Sequence, residues 1–188
     1  ARAEKQGGST ILTAEFRQVG GLALEVTTRV QASPAEPMSR WTISVNNNAG
    51  IEIVDVQYPY VVCAYNLAGK PGSETLVLPE YYGQLVPAPS LEKLGPDHPP
   101  AWQLNHPFNH YPGAQFAQFV AYYNDRHGLY LACEDPEGNV KRFRAVHREP
   151  GMRIGVAHIG DWPRAGQRTL EYDTVLGSFS GDWYAAAG

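Results

Sequence analysis

Apolar and polar residues alternate with a period of two along much of the chain. Residues 22–30 show the pattern clearly, with one face formed by Leu22, Leu24, Val26, Thr28 and Val30. The pattern returns in residues 40–45, 152–156 and 169–176. Period-two alternation is typical of a β-strand with one buried face, and helical periodicity is almost absent before the last residues. The pattern therefore predicts an all-β fold, a large antiparallel two-sheet sandwich of roughly ten to twelve strands.

The segment FAQFVAYY, residues 116–123, is apolar at successive positions. A strand of this kind is covered on both faces, so we expect it in the centre of a sheet. Clusters of Gly, Asn, Asp and Pro separate the strand-like runs and predict the connecting turns. These clusters occupy residues 46–50, 66–72, 124–128, 135–138 and 149–151.

Two segments depart from the alternation. Residues 79–113 are rich in proline and in aromatic residues, which predicts one long, ordered excursion from the sandwich. Near the C-terminus, Asp182 is placed as the N-cap of a helix that begins at WYAAA. A domain rarely stops at the start of a helix. We therefore expect a sandwich domain over residues 1–180, and over residues 181–188 the start of a linker helix toward a further C-terminal domain.

Composition narrows the class of protein. A chain of 188 residues with 43% hydrophobic residues can bury one sizeable core, so we expect one domain. The net charge is −4 and no Arg/Lys cluster is present, which argues against a nucleic-acid partner. No run approaches the roughly 18 apolar residues of a membrane span, so a membrane is not an expected partner either. Cys63 and Cys133 lie in apolar, strand-like runs and are expected to be buried free thiols, although a disulfide between them remains an alternative.

The stretch QLNHPFNHYPG, residues 103–113, combines two histidines with amide and aromatic side chains. A metal site could use His106 and His110, but Pro107 and Pro112 are incompatible with the helix that would bring these histidines to one face. Zinc and copper usually take three or four protein ligands, and no third ligand lies nearby. We therefore expect neither a metal nor a cofactor.

A catalytic role would pair one histidine with a carboxylate as general base and acid. The candidate carboxylates for His106 or His110 are Glu80, Asp97 and Asp125. Which of them lies close in space is not evident from the sequence.

A carbohydrate-binding role fits the composition of the stretch. Sugar-binding surfaces combine aromatic faces for the C–H side of the pyranose with amides and imidazoles for its hydroxyls. The neighbouring prolines would hold such groups in place before binding. The alternative is that the aromatic rings pack the loop onto the sandwich and the amides satisfy its backbone. The candidate carbohydrate-binding residues are Trp102, Gln103, Asn105, His106, Phe108, Asn109, His110 and Tyr111.

Four further features carry expectations of their own. His158 lies on an apolar strand face and is expected to be a satisfied core or edge histidine. Trp162 lies in a predicted hairpin tip, either as an exposed platform or packed under the loop. The acidic turn at residues 134–137 is expected to be solvated, with a calcium site as the alternative. Asp55 lies in an apolar run and needs a partner if it is buried; Arg40 or Arg142 could supply it.

A series of short motifs follows residue 111 in a characteristic order. The matching positions are Tyr111, Pro112, Gly113, Asn124, Asp125, Gly128, Leu129, Tyr130, Asp135, Pro136, Gly138 and Lys141, with Gly181, Asp182 and Trp183 near the end. This order resembles the β-supersandwich, or galactose-mutarotase-like, domain that precedes the catalytic (β/α)8 barrel of large bacterial glycoside hydrolases. It is most similar to the endo-α-N-acetylgalactosaminidase group, and the resemblance extends from about residue 40 to the end.

The resemblance implies a function associated with sugars. Enzymes of this kind keep their catalytic carboxylates on the barrel, so it assigns no catalytic residue to this chain. It implies a non-catalytic accessory or binding domain of a secreted bacterial glycoside hydrolase, located outside the cell or in the periplasm. The implied partners are a carbohydrate and a C-terminal catalytic barrel. Two alternatives stay open: a sugar-active enzyme with a His/carboxylate pair on the sandwich, and a purely structural domain.

Overall fold

The computed structural model describes residues 1–91, 110–148, 151–160 and 162–187. These residues are mostly in β-strands, so the prediction of an all-β sandwich is confirmed. A helical turn, α1, spans Tyr184–Ala187, and short 3-10 turns span Val19–Gly21 and Pro89–Leu91. The strands are β1 (Arg2–Gln6), β2 (Ser9–Phe16), β3 (Leu24–Ala32), β4 (Met38–Asn47), β5 (Asp55–Cys63), β6 (Thr75–Leu78), β7 (Gln84–Pro87), β8 (Phe119–Tyr123), β9 (Gly128–Cys133), β10 (Lys141–Arg148), β11 (Gly151–Ile159), β12 (Gly166–Thr169) and β13 (Thr174–Phe179).

The strands form two antiparallel sheets. The large sheet has ten strands in the order β1-β2-β3-β4-β13-β9-β8-β6-β7, with β12 also paired to β4. The small sheet has the order β10-β11-β5. The expected number of strands was too low, in part because every residue of β1 is exposed and so carries no alternation. No helix in the described part of the chain is long and apolar enough to cross a membrane.

The core lies between the two sheets and follows the alternation of the sequence. Ile43 and Val45 of the large sheet and Met152, Ile154 and Val156 of the small sheet are buried in one cluster. The strand β8 lies between β9 and β6 in the large sheet. Its successive residues 120–122 are fully buried, which confirms a central strand covered on both faces.

Two expected elements are different in the structure. Residues 79–113 are not one excursion, because Gln84–Pro87 forms β7 and pairs with β6 at the edge of the large sheet. The run 169–176 is not one strand either. Thr169 pairs with Ser44 and Thr174 pairs with Trp41, so four residues lie opposite only two residues of β4. The chain therefore buckles between β12 and β13.

The C-terminal helix begins as expected. The carboxylate oxygen Oδ1 of Asp182 accepts a hydrogen bond from the Tyr184 backbone N–H at 3.1 Å. The Asp182 carbonyl accepts another from the Ala185 N–H, also at 3.1 Å. Both contacts confirm Asp182 as the N-cap.

Cys63 and Cys133 are free thiols, so no disulfide joins them. Burial raises the pKa of Cys63 to about 11 and that of Cys133 to about 12. The thiolate is the reactive form of cysteine. We therefore expect iodoacetamide at neutral pH to react with the thiols of the folded protein about 100-fold more slowly than it reacts with glutathione in the same tube. Both thiols should react after denaturation, as measured by mass spectrometry. Labelling of the folded protein at the glutathione rate would contradict this expectation.

Candidate functional site

The proposed sugar-binding stretch is only partly described. Trp102, Gln103, Asn105, His106, Phe108 and Asn109 lie outside the described residues. His110 and Tyr111 are described, and Tyr111 extends the edge of the small sheet: its N–H donates to the Lys141 carbonyl at 2.7 Å, and the Lys141 N–H donates back at 2.9 Å. The C-terminal end of the stretch is thereby fixed to the first residue of β10.

Gln115 connects this edge to the large sheet. Its side-chain oxygen accepts a hydrogen bond from the Phe143 N–H at 2.9 Å, and its Nε2 donates to the Phe143 carbonyl at 2.9 Å. The same Nε2 lies 3.2 Å from the carboxylate oxygen Oε1 of Glu80. The side chain thus occupies the place that a further strand would take beside β10. Gln115 is fully buried, as expected for an amide with each polar atom satisfied.

Lys141 forms a buried polar cluster beside Tyr111. Its Nζ donates to Asp135 at 2.5 Å, to Gln118 at 2.8 Å and to the Asn139 carbonyl at 2.7 Å. The ammonium also lies 5.0 Å from the centre of the Tyr111 ring and 4.9 Å from that of Tyr172. All three N–H donors are used, and the side chain is 0% exposed. One face of the Tyr111 ring is therefore occupied by a cation.

Asp135 lies in a tight turn and forms an ion pair with Lys141. Its carboxylate also accepts hydrogen bonds from the Glu137 and Asn139 backbone N–H groups, at 3.1 and 2.7 Å. Burial alone would raise the pKa of Asp135, but the hydrogen bonds from Lys141 and Asn139 outweigh burial and lower it. Glu134 and Glu137 are exposed, but the expectation of a solvated turn is wrong for Asp135, which is 4% exposed because it pairs with Lys141. Among the described residues no group of His, Cys, Asp and Glu is arranged to hold a metal ion.

His158 and Trp162 are core residues. His158 is 2% exposed; its Nε2 donates to the Tyr58 carbonyl at 2.6 Å, and its Nδ1 accepts from the Tyr172 hydroxyl at 2.8 Å. Trp162 is 6% exposed, and its indole N–H donates to the His158 carbonyl at 3.0 Å. The expectation of a satisfied histidine is confirmed. The exposed-platform alternative for Trp162 is wrong, because the ring packs against the core and Arg168 lies 5.3 Å from its centre.

The residues of the catalytic hypothesis are not assembled into a pair among the described residues. Glu80 is hydrogen-bonded to Gln115, and His110 shares that corner through its carbonyl, which accepts from the Gln115 N–H at 3.1 Å. No hydrogen bond or ion pair between His110 and Glu80 is present. Asp125 lies in the β8–β9 turn, at the opposite end of β8. His106 and Asp97 lie outside the described residues.

A group of aromatic rings lies on the face of the large sheet that points away from the small sheet. Gly128 pairs with Phe179 and Gly177 pairs with Tyr130 across β9 and β13. A side chain on Gly128 would come within 2.3 Å of the Phe179 ring, and one on Gly177 within 2.2 Å of the Tyr130 ring. Each ring therefore lies across the glycine opposite it. The Tyr123 ring completes the group, 6.0 Å from Phe179.

An ion-pair network borders the Tyr130 ring. The Arg40 guanidinium donates to the carboxylates of Glu134 and Asp173. Arg40 lies in β4, Glu134 directly follows β9, and Asp173 directly precedes β13. Arg40 therefore pairs with these two acids rather than with Asp55, which corrects one of the two expected partners. The hydrogen bond to Glu134 raises the pKa of Arg40 against the effect of burial, so the guanidinium stays charged.

An open cleft of about 430 Å³ reaches the Phe179 ring at the end of β13. It combines an aromatic wall with an imidazole and two hydroxyl groups, which are the groups that hold a pyranose. Its volume lies in the range of small-molecule sites. The lining residues are Pro37, His127, Gly128, Ser178, Phe179 and Ser180.

This cleft was not predicted from the sequence. The available signal was the recurrence of an aromatic residue and a glycine two positions apart, in GLY at residues 128–130 and in GSF at residues 177–179. Pairing of these two strands turns both repeats into aromatic–glycine contacts. Only the pairing register reveals this, because the two repeats lie almost fifty positions apart in the chain.

The chain shares its β-sandwich fold with a part of solved glycoside hydrolases. The chain is similar to the α-N-acetylgalactosaminidase NagBb from Bifidobacterium bifidum in its GalNAc complex, with 13% identity, a TM-score of 0.68, and coverage of 98% of this chain and 28% of that one. It is also similar to the GH36 α-galactosidase AgaB from Geobacillus stearothermophilus, with 10% identity, a TM-score of 0.54, and coverage of 95% of this chain and 25% of that one.

A TPR-domain containing protein from Parabacteroides distasonis is also similar, with 9% identity, a TM-score of 0.52, and coverage of 98% of this chain and 35% of that one. The chain thus spans about a quarter to a third of the length of these proteins. No family model and no curated protein matches the sequence. At these identities the similarity establishes the shared fold.

Proposed function

We propose that the chain is a non-catalytic, carbohydrate-binding accessory domain of a secreted bacterial glycoside hydrolase. The main support for this proposal is the cleft at Phe179, where an aromatic wall and hydrogen-bonding side chains meet. The shared fold supports the proposal, because the sandwich covers nearly all of this chain and a minor part of glycoside hydrolase chains. The proposed partners are a glycan and a C-terminal catalytic barrel, and the proposed location is extracellular or periplasmic.

The proposed domain organisation keeps the sandwich in residues 1–180 and a linker helix from residue 181. The N-cap at Asp182 supports it, since a helix starts within a few residues of the last strand. Residues 102–111 remain a second proposed sugar-binding segment. Its C-terminal residues are held against β10 by the Tyr111 backbone, which would limit the freedom lost on binding.

The test is a glycan-array screen of the purified chain, followed by titration calorimetry with the best ligand. His127 and Ser180 line the cleft and are exposed, so the double variant His127→Ala, Ser180→Ala should fold normally. Loss of two hydrogen bonds should weaken binding about tenfold. Trp102→Ala tests the second segment in the same assay.

Thr27→Ala is the matched control, because Thr27 is an exposed polar residue on the large sheet. It should leave the affinity unchanged. Absence of binding to any glycan would refute the binding role and leave a structural domain. Binding that Trp102→Ala weakens and the double variant leaves unchanged would move the site to residues 102–111.

A further inference from the structure

A second cleft, of about 500 Å³, lies between the β5–β6 loop and the β8–β9 turn. It is more enclosed than the cleft at Phe179 and is lined mainly by polar groups. Two of its side chains are cations and one is a carboxylate. The lining residues are Ala68, Gly69, Lys70, Ser73, Asp125 and Arg126.

One buried side chain holds both walls of this cleft. Asn124 is 2% exposed, and its Nδ2 donates to the carbonyls of Asn66 and Leu67 at 3.1 and 3.3 Å. Its Oδ1 accepts from the backbone N–H groups of Arg126 and His127 at 2.9 and 2.8 Å. The loop and the turn are therefore fixed relative to each other, and the cleft between them is preformed.

The loop backbone is held in an unfavourable conformation next to the cleft. Leu67 and Ala68 have φ angles of 44° and 60°, in the left-handed region that non-glycine residues rarely occupy. Such conformations persist only where surrounding contacts impose them, and they are common at ligand-binding sites. Gly69 follows, and a side chain there would come within 2.6 Å of the Asn124 amide. The loop thus needs this glycine to approach the turn.

Lys70 and Arg126 bring two positive charges to the same cleft. Both residues are exposed, and neither forms an ion pair within the described part of the chain, whereas the exposed Arg164 pairs with Glu52 at 3.0 Å. The cleft thus carries two cations against one carboxylate, and this excess of positive charge favours an anion. The Asp125 carboxylate and the Ser73 hydroxyl supply acceptors for hydroxyl groups beside it.

We infer that this cleft binds a pyranose that carries a negative charge, either a carboxylate or a sulfate ester. Lys70 and Arg126 would hold the anionic group, while Asp125 and Ser73 would accept hydrogen bonds from the ring hydroxyls. The sugar component of this inference rests on the proposed function. The anionic component rests on the two cations and on the cleft alone.

The two clefts share one end of the sandwich. The charged cleft lies where β6 begins and β8 ends, and the cleft at Phe179 lies where β9 begins and β13 ends. These strands are neighbours in the order β13-β9-β8-β6, so the clefts are separated by about two strand spacings, roughly 10 Å. An acidic oligosaccharide could therefore place a neutral residue at Phe179 and a charged residue at Lys70.

The test uses titration calorimetry or NMR with four probes: glucuronic acid, glucose 6-sulfate, glucose and inorganic sulfate. We expect at least one of the two charged sugars to bind about tenfold or more tightly than glucose or inorganic sulfate. Lys70→Ala and Arg126→Ala should each weaken that binding about tenfold, because each removes a charge-assisted hydrogen bond. Binding should also weaken with rising salt concentration.

Arg164→Ala is the matched control, since it removes an exposed cation away from the cleft, and it should leave the affinity unchanged. Equal affinity for inorganic sulfate and the charged sugars would overturn the sugar assignment. Unchanged affinity in both Lys70→Ala and Arg126→Ala, or no preference for a charged sugar over glucose, would overturn the inference as a whole. The proposed function would survive that result if the double variant His127→Ala, Ser180→Ala still weakened binding of a neutral glycan about tenfold.

Discussion

Replacing Lys141 by methionine should lower the free energy of unfolding by about 3–5 kcal/mol. The side chains of Lys141 and Asp135 are 0% and 1% exposed, and the variant leaves the Asp135 carboxylate buried without its cation. Methionine is close to lysine in length, so loss of packing contributes little. Urea denaturation at neutral pH measures the change.

Two further variants isolate the charge. The double variant Lys141→Met, Asp135→Asn removes both charges and should recover a substantial part of the lost stability, because an uncompensated buried charge is the main penalty. Arg164→Ala breaks an ion pair whose side chains are 75% and 69% exposed, and it should cost no more than about 1 kcal/mol. A cost for Lys141→Met as small as that of Arg164→Ala would refute the structural role of the cluster.

The single variant Lys141→Met should also affect the proposed sugar-binding segment. Lys141 contacts the Tyr111 ring, and its backbone pairs with that of Tyr111. Loss of the ammonium should loosen the C-terminal end of residues 102–111, so that a protease cleaves there faster than in the wild type under native conditions. Cleavage elsewhere in the sandwich should change only in proportion to global stability.

The protein should lose about 3 kcal/mol of stability as the pH falls from about 6.5 to about 4, because His158 is buried as the neutral imidazole. Burial lowers the pKa of His158 from 6.5 to about 4, and the charges of Lys141 and Arg168 act in the same direction. The hydrogen bond to the Tyr58 carbonyl and the charge of Asp135 act against it. Between these two pH values the unfolded chain binds a proton that the folded chain does not, so stability falls with pH and levels off below about 4.

His158→Gln is the variant that tests this assignment. It should lower stability at neutral pH, since the Tyr58 and Tyr172 contacts are altered, but it should remove most of the pH dependence between about 4.5 and 6.5. Asp135 does not confound the result, because its pKa lies below its ordinary value and its contribution is lost only at lower pH. Wild type and variant with equal slopes in this window would show that His158 does not titrate as assigned.

Much of the architecture follows from short-range pattern. Ile43, Val45, Ile154 and Val156 are buried where alternation placed them, because successive side chains of a strand point to opposite faces. Strand β7 was not predicted, since four residues in a proline-rich segment are too few to show a period. Its place is set by pairing with β6.

The polar sites depended on tertiary structure to a much greater degree. Tyr111, Asp135 and Lys141 were all recognised as motif residues, yet their roles were not evident until the turn at residues 135–139 brought the carboxylate to the ammonium. Arg40 was considered as a partner for Asp55 and instead pairs with Glu134 and Asp173. Local patterns carry no information on such pairs, because they do not specify which strands lie next to each other in a sheet.

The sequence by itself determined the all-β class, the inward faces of the main strands, the position of several turns and the N-cap at Asp182. Each of these depends on residues a few positions apart, whose preferences are set by local backbone geometry and by burial of one strand face. The tertiary structure alone decided the order of the strands, the aromatic–glycine contacts of β9 and β13, and the clefts at Phe179 and Lys70. Those features join residues that are distant in the chain, and only the pairing register of the sheets brings them together.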